Sequence, residues 1–251
     1  MTENSKARPD YVRIPWLHVV LFLLAGVSGS IDAMGYLKLG HVLTANMTGT
    51  TVLLGIAAGQ GKFWSAIRSL AALLGFMTGV GIGSSLVRRR KQRWQKTLSR
   101  SLTIEFLLIL LMAVLWFGFM LKNEHFVTFA CIVLSAVAMG MQSATIRHLD
   151  IPGVVTTYIS GTITAVVAEV VTNFRGVFRS VVGDDKKALP VRLEKRIGIQ
   201  LWIFLIYGGM AALTAFIYLK GMGFLPLLPL LLIMSVLIML RKSGLKKHVK
   251  N

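Results

Sequence analysis

The chain has 251 residues, 55% of them hydrophobic, and a mean hydropathy of +0.68. That excludes an ordinary water-soluble domain, because apolar runs of about 18–22 residues, enough to cross a ~30 Å hydrocarbon core, follow one another along the chain. The net charge of +18 does not mark a nucleic-acid surface: the cations gather in the tails and two loops, as expected of cytoplasmic segments.

Residues 1–14 form a polar tail carrying Lys6, Arg8 and Arg13. A first span at 15–37 contains Asp32. Its charged start and the small-residue run Ala25-Gly-Val-Ser-Gly resemble a secretory leader, but the segment has a counterpart in the second half, which marks it as a retained helix. An interrupted segment, 39–59, follows. The apolar stretch 63–87 places Gly75, Gly79 and Gly83 on one helix face suited to close packing, inside the chain or against a partner helix. A basic loop at 88–100 holds seven Lys or Arg and leads to a span near 102–121, with Glu105 expected to snorkel from its end. The second half opens near 126 and includes Cys131, the one Cys, so no intrachain disulfide can form. Arg147 and His148 fall at a span end. A second interrupted segment, 151–174, a basic loop at 175–197, spans near 198–219 and 223–240, and a basic tail at 241–251 complete the chain.

The two interrupted segments are copies. Val42, Thr44, Gly49 and Thr50 meet Val154, Thr156, Gly161 and Thr162 at an offset of 112, and Leu23, Ala25, Gly29 and Ala33 meet Leu134, Ala136, Gly140 and Ala144 at 111. The chain therefore divides into a first repeat at 15–121 and a second at 122–240. If both interrupted segments crossed the bilayer, the 88–100 loop would lie opposite the other basic regions, against the positive-inside rule. If both dip in and return, all four basic regions share one face. The expected fold is an all-α membrane protein with an inverted duplication: six spanning helices plus two interrupted, re-entrant segments. Both termini are then cytoplasmic.

In each copy a Thr/Ser/Asn cluster stands where extended chain should turn into helix. These residues cap helix starts, and free N–H groups at such a start favour an anion or polar oxygen. Paired breaks in corresponding halves point to a transporter's binding site. Candidate substrate-binding residues are Asp32, Thr44, Asn46, Thr48, Gly49, Thr50 and Gln142, with Thr156, Thr157, Ser160, Gly161 and Thr162 from the second copy. Asp32 is the candidate for proton or cation coupling, against a structural pairing with Arg68 or His41. No metal-binding motif or nucleophile elbow is present, so no metal, cofactor or catalytic residue is expected.

Four blocks, Gly29-Ser-Ile-Asp-Ala-Met-Gly-Tyr-Leu, Leu43-Thr-Ala-Asn-Met-Thr-Gly-Thr-Thr-Val, Gly140-Met-Gln-Ser-Ala-Thr-Ile-Arg and Thr156-Thr-Tyr-Ile-Ser-Gly-Thr-Ile-Thr, resemble the YoaK-like family of bacterial membrane proteins. Ser160 stands where a second Thr-Gly pair belongs, and keeps the hydroxyl. The resemblance implies a multi-pass inner-membrane protein and assigns no substrate. The function expected from the residues is secondary transport or channel-like facilitation of a small polar or anionic solute. The rivals are an intramembrane enzyme on a lipid-linked substrate, using Asp32 with His41 or His148, and a non-transporting scaffold. The expected partners are the lipid bilayer and the solute, with no nucleic acid; a homo-oligomer is left open.

Overall fold

A computed structural model describes residues 15–88, 94–119, 124–148, 164, 167, 171, 191–221 and 223–248. Seven helices are defined there: α1 (Pro15–Lys38), α2 (Met47–Gly59), α3 (Phe63–Arg88), α4 (Trp94–Phe119), α5 (Glu124–His148), α6 (Val191–Leu219) and α7 (Leu227–His248). Described residues contain no strand, as an all-α membrane protein requires. Five helices, α1 and α3 to α6, are long and apolar enough to cross a membrane. The sixth expected span is shorter: between Pro226 and Arg241 the apolar part of α7 is 227–240, about 21 Å of helix. Polar turns extend the helices past the apolar runs. The start of α4 takes in Gln95, Lys96 and Arg100, drawn as loop from the charge pattern, because Gln, Lys and Arg are good helix formers once water replaces lipid.

Small residues set the helix directions. A Cβ on Gly75 would touch Ala136 and the Val133 carbonyl, one on Gly79 would collide with the Val137 carbonyl, and one on Gly83 would press on Ala144 and Met141. The contacts advance together, so α3 and α5 run parallel with backbones nearly touching. The Gly75/Gly79/Gly83 face is thus filled by the chain's own α5, which removes it as a docking face for a partner helix. On the other side Gly26 meets Ile206 and Met210, Gly29 abuts the Tyr207 backbone, and Lys38 lies over the Tyr218 ring, so α1 and α6 are also parallel. Gln142 on α5 donates to the Leu24 carbonyl and to Ser28 Oγ on α1, at 3.2 and 2.9 Å. With Ile146 packed among Leu17, Leu21 and Leu24, and Val127 and Cys131 among Val27, Ile31 and Met34, these bonds set α5 antiparallel to α1.

These directions put the start of α1, the end of α3, the start of α4, the end of α5, the start of α6 and the end of α7 at one side of the bundle. The described helix ends that border the basic regions therefore share one face. The end of α1 and the start of α3 share the opposite face, so the chain from 39 to 62 enters and leaves on one side: the first interrupted segment is re-entrant. The turn that admits it needs two left-handed residues, Gly40 (φ 81°) and His41 (φ 62°). Cysteines placed at Lys38 and Lys62, both exposed, are expected to react with an impermeant thiol reagent from the same side of sealed vesicles. Labelling from opposite sides would mean that the segment crosses. The expected second interrupted segment, 151–174, lies outside the described residues save for 164, 167 and 171.

Candidate functional site

The re-entrant stretch is held by α1. Its backbone leaves the helix ladder after Lys38, and its N–H groups need acceptors where no water is at hand. Asp32 supplies them: Oδ1 accepts from Ala45 N at 2.7 Å and Oδ2 from Asn46 N at 3.1 Å. The same Oδ2 accepts from the Tyr207 hydroxyl of α6 at 2.5 Å. Asp32 stands six residues before the end of α1, about 9 Å inside it. A carboxylate at that depth draws the extended chain down to it, and Gly35 lets the chain pass, since a Cβ there would strike the Val42 carbonyl. Asp32 is therefore an anchor with both oxygens engaged. The expected pairing with Arg68 or His41 gives way to this arrangement: Arg68 packs on Gly40 instead, and His41 lies edge-on to Tyr36, centroids 5.0 Å apart.

At the foot of the loop Asn46 caps α2, its side-chain oxygen accepting from Gly49 N at 3.2 Å. Gly49 sits over Leu43, whose Cδ1 would be 2.7 Å from an added Cβ. Thr50 donates to the Leu43 carbonyl, and Thr44 is fully buried with no partner for its hydroxyl. Thr48 is exposed and lines a cavity. Gln142 lies one helical turn of α1 away from Asp32, bridging α5 to Ser28. Asp32, Thr44, Asn46, Thr48, Gly49 and Thr50 are thus gathered around one helix start, and Gln142 braces the helix behind it. Thr156, Thr157, Ser160, Gly161 and Thr162 lie outside the described residues.

The cavity, of about 750 Å³, is formed between the start of α2, the second half of α3 and the end of α5. Among the described residues, Ala45, Met47 and Thr48 bound it on one side and Phe76, Val80 and Ser84 of α3 and Ser143, Ala144, Arg147 and His148 of α5 on the other. It runs from mid-bundle to the basic face, where Arg147 and His148 are exposed. The guanidinium and the positive end of α2 border one space, which favours an anion or a polar oxygen ligand. Two participants escape the sequence reading. Tyr207 is the Asp32 partner, and its only signal is a phenol inside an apolar span, which must find a polar neighbour. Arg147 reads as interfacial from its position; only the tertiary fold shows that a cavity meets it there.

Residues 20–240 match the family described as "Protein of unknown function (DUF1275)". A curated relative, the UPF0700 transmembrane protein YoaK of Bacillus subtilis (strain 168), is 34% identical over 154 residues, 61% of this chain and 67% of that protein. No solved structure matches the chain. With a family match over most of its length and a bundle of apolar helices, the chain belongs to the DUF1275 family of membrane proteins.

Proposed function

We propose that this protein is a secondary transporter or channel-like facilitator for a small anionic solute, which enters from the basic face and binds where α2 begins. One observation carries the reading: a cavity of about 750 Å³ joins the Asn46-capped start of α2 and Thr48 to Arg147. A helix broken at mid-bundle is tolerated where the break faces a cavity, and transporters place their sites at such breaks. The protein acts without chemical catalysis or a cofactor, and its partners are the bilayer and the solute.

The same proposal takes the two halves as inverted copies. What supports it is that α1 and α5, their first helices, run antiparallel, and that Gly29 abuts the Tyr207 backbone as Gly140 abuts that of Phe76. Ser143 then holds in the second half the place that Asp32 holds in the first, and it lines the cavity. The same proposal takes the basic face as cytoplasmic, in keeping with the positive-inside rule, with both termini in the cytoplasm and the protein in the bacterial inner membrane.

A ligand that binds only the folded state raises its melting temperature, by about 2.7 kcal/mol of stability at a hundred times Kd. Small carboxylates, phosphate and sulfate are to be screened this way on the purified protein. At least one is expected to stabilise it, and Arg147→Gln to weaken that anion about tenfold, roughly 1.4 kcal/mol. No response to any anion, or an equal response in the variant, would refute an anion site here.

A further inference from the structure

We propose that Glu105 is a proton-binding site in the core of the bundle; its use in coupling rests on the transport reading, its chemistry does not. The charge pattern has Glu105 snorkelling from the end of its span. Instead it is 0% exposed, and neither carboxylate oxygen has a hydrogen-bond partner among the described residues. The extra helical turns at 94–100 move the end of α4 outward and leave Glu105 well inside.

Its surroundings follow from the register of α4. Leu98 and Leu102 before it belong to one buried apolar cluster, and Ile109 and Met112 after it to another, so the carboxyl stands at the seam between them. Ser101 and Thr145 hydroxyls meet at 2.6 Å, and Cys131 donates to the Met112 carbonyl at 3.8 Å. These two contacts set α4 against α5 and bring Glu105 level with Met139–Gln142. At that level Gly140 of α5 packs against Phe76, a wall of the cavity. The carboxyl and the cavity thus flank α5 at one depth.

An ionised carboxylate in such a place needs a compensating cation. Among the described residues, the charged and titratable groups on the helices packed against α4 stand elsewhere. On α5, Cys131 faces Met112 two turns away, His125 is at the far end, and Arg147 and His148 are at the basic end. On α3, Arg68 lies against Gly40; on α7, Arg241 and Lys242 are exposed. Lys96 and Arg100 belong to the basic end of α4 itself. A metal ion would need several oxygen or nitrogen ligands, and no group of three His, Cys, Asp or Glu is gathered among the described residues. A proton needs one oxygen. Bound there, it converts the carboxylate to the acid and cancels the charge; on release it returns to water. Asp32 is poorly placed for this exchange, because both its oxygens are committed to the re-entrant loop.

The test is infrared difference spectroscopy of the full-length protein in lipid nanodiscs, stepped in pH, with the proton itself as probe. A carboxylic acid C=O band that shifts in D2O is expected in the wild type and lost in Glu105→Gln. Should that variant fail to fold, Glu105→Asp is expected to move the band. Spectra unchanged by either substitution would overturn the proposal. No solute enters this measurement: the band without any anion response would sink transport alone, and an anion response without the band would sink the proton site alone.

Discussion

Asp32→Asn is expected to be the most damaging conservative substitution in the protein, lowering its stability by roughly 3 kcal/mol, since hydrogen bonds to a charged group are worth about 1.5–3 kcal/mol each. The amide keeps one acceptor oxygen, but whichever way it turns its NH2 faces the N–H of Ala45 or of Asn46, where two donors then meet. For a chain of this size the shift is about 6–12 °C in melting temperature. Tyr207→Phe removes one donor and leaves both backbone bonds, so a loss of about 1 kcal/mol is expected, between the average of about 0.6 and the maximum of about 1.7 kcal/mol for side-chain bonds in a membrane bundle. Thr44 is buried in the wild type, so the thiol introduced by Thr44→Cys should be protected there and become reactive in the Asp32→Asn background as the loop detaches. If Asp32→Asn melts with the wild type and that thiol stays protected, the carboxylate is not what holds the loop.

This anchor shows what the sequence makes legible and what it withholds. The break within 39–59 and a helix start in its Thr/Ser/Asn cluster are readable, because such residues cap helix starts and have few other uses between apolar spans. The side on which the segment leaves is readable from the cations, since 88–100 obeys the positive-inside rule only if 39–59 returns. The partners of Asp32 are not. They lie on the backbone 13 and 14 residues on and on a tyrosine 175 residues on, and no local period reports such contacts. Glu105 misleads for the opposite reason. Its depth depends on where α4 starts, and helix ends beyond the bilayer follow the propensity of Lys, Arg and Gln rather than hydropathy. Five of the twelve expected site residues, Thr156, Thr157, Ser160, Gly161 and Thr162, fall outside the described residues.

Gly79→Ala and Gly81→Ala, two residues apart on one helix, are expected to differ sharply. Gly79 is buried, and an added Cβ would collide with the Val137 carbonyl and stand 2.9 Å from its carbon; at Gly81 nothing lies within 4 Å and the residue is exposed. Backbone cannot move aside as a side-chain end can, so α3 and α5 would have to separate. Inserting one methyl into a tight contact costs about 1–3 kcal/mol, and the upper part of that range applies where backbone is the obstacle. Gly81→Ala should be neutral or slightly stabilising, because alanine is the better helix former by about 1 kcal/mol. Thermal melts of the two purified variants decide the matter. The separation also widens the wall between Val80 and Ala144, so the Gly79 variant should lose any anion-induced stabilisation together with its own stability. Equal melting temperatures would mean that α3 and α5 do not touch along this face, and the cavity they enclose would lose its frame.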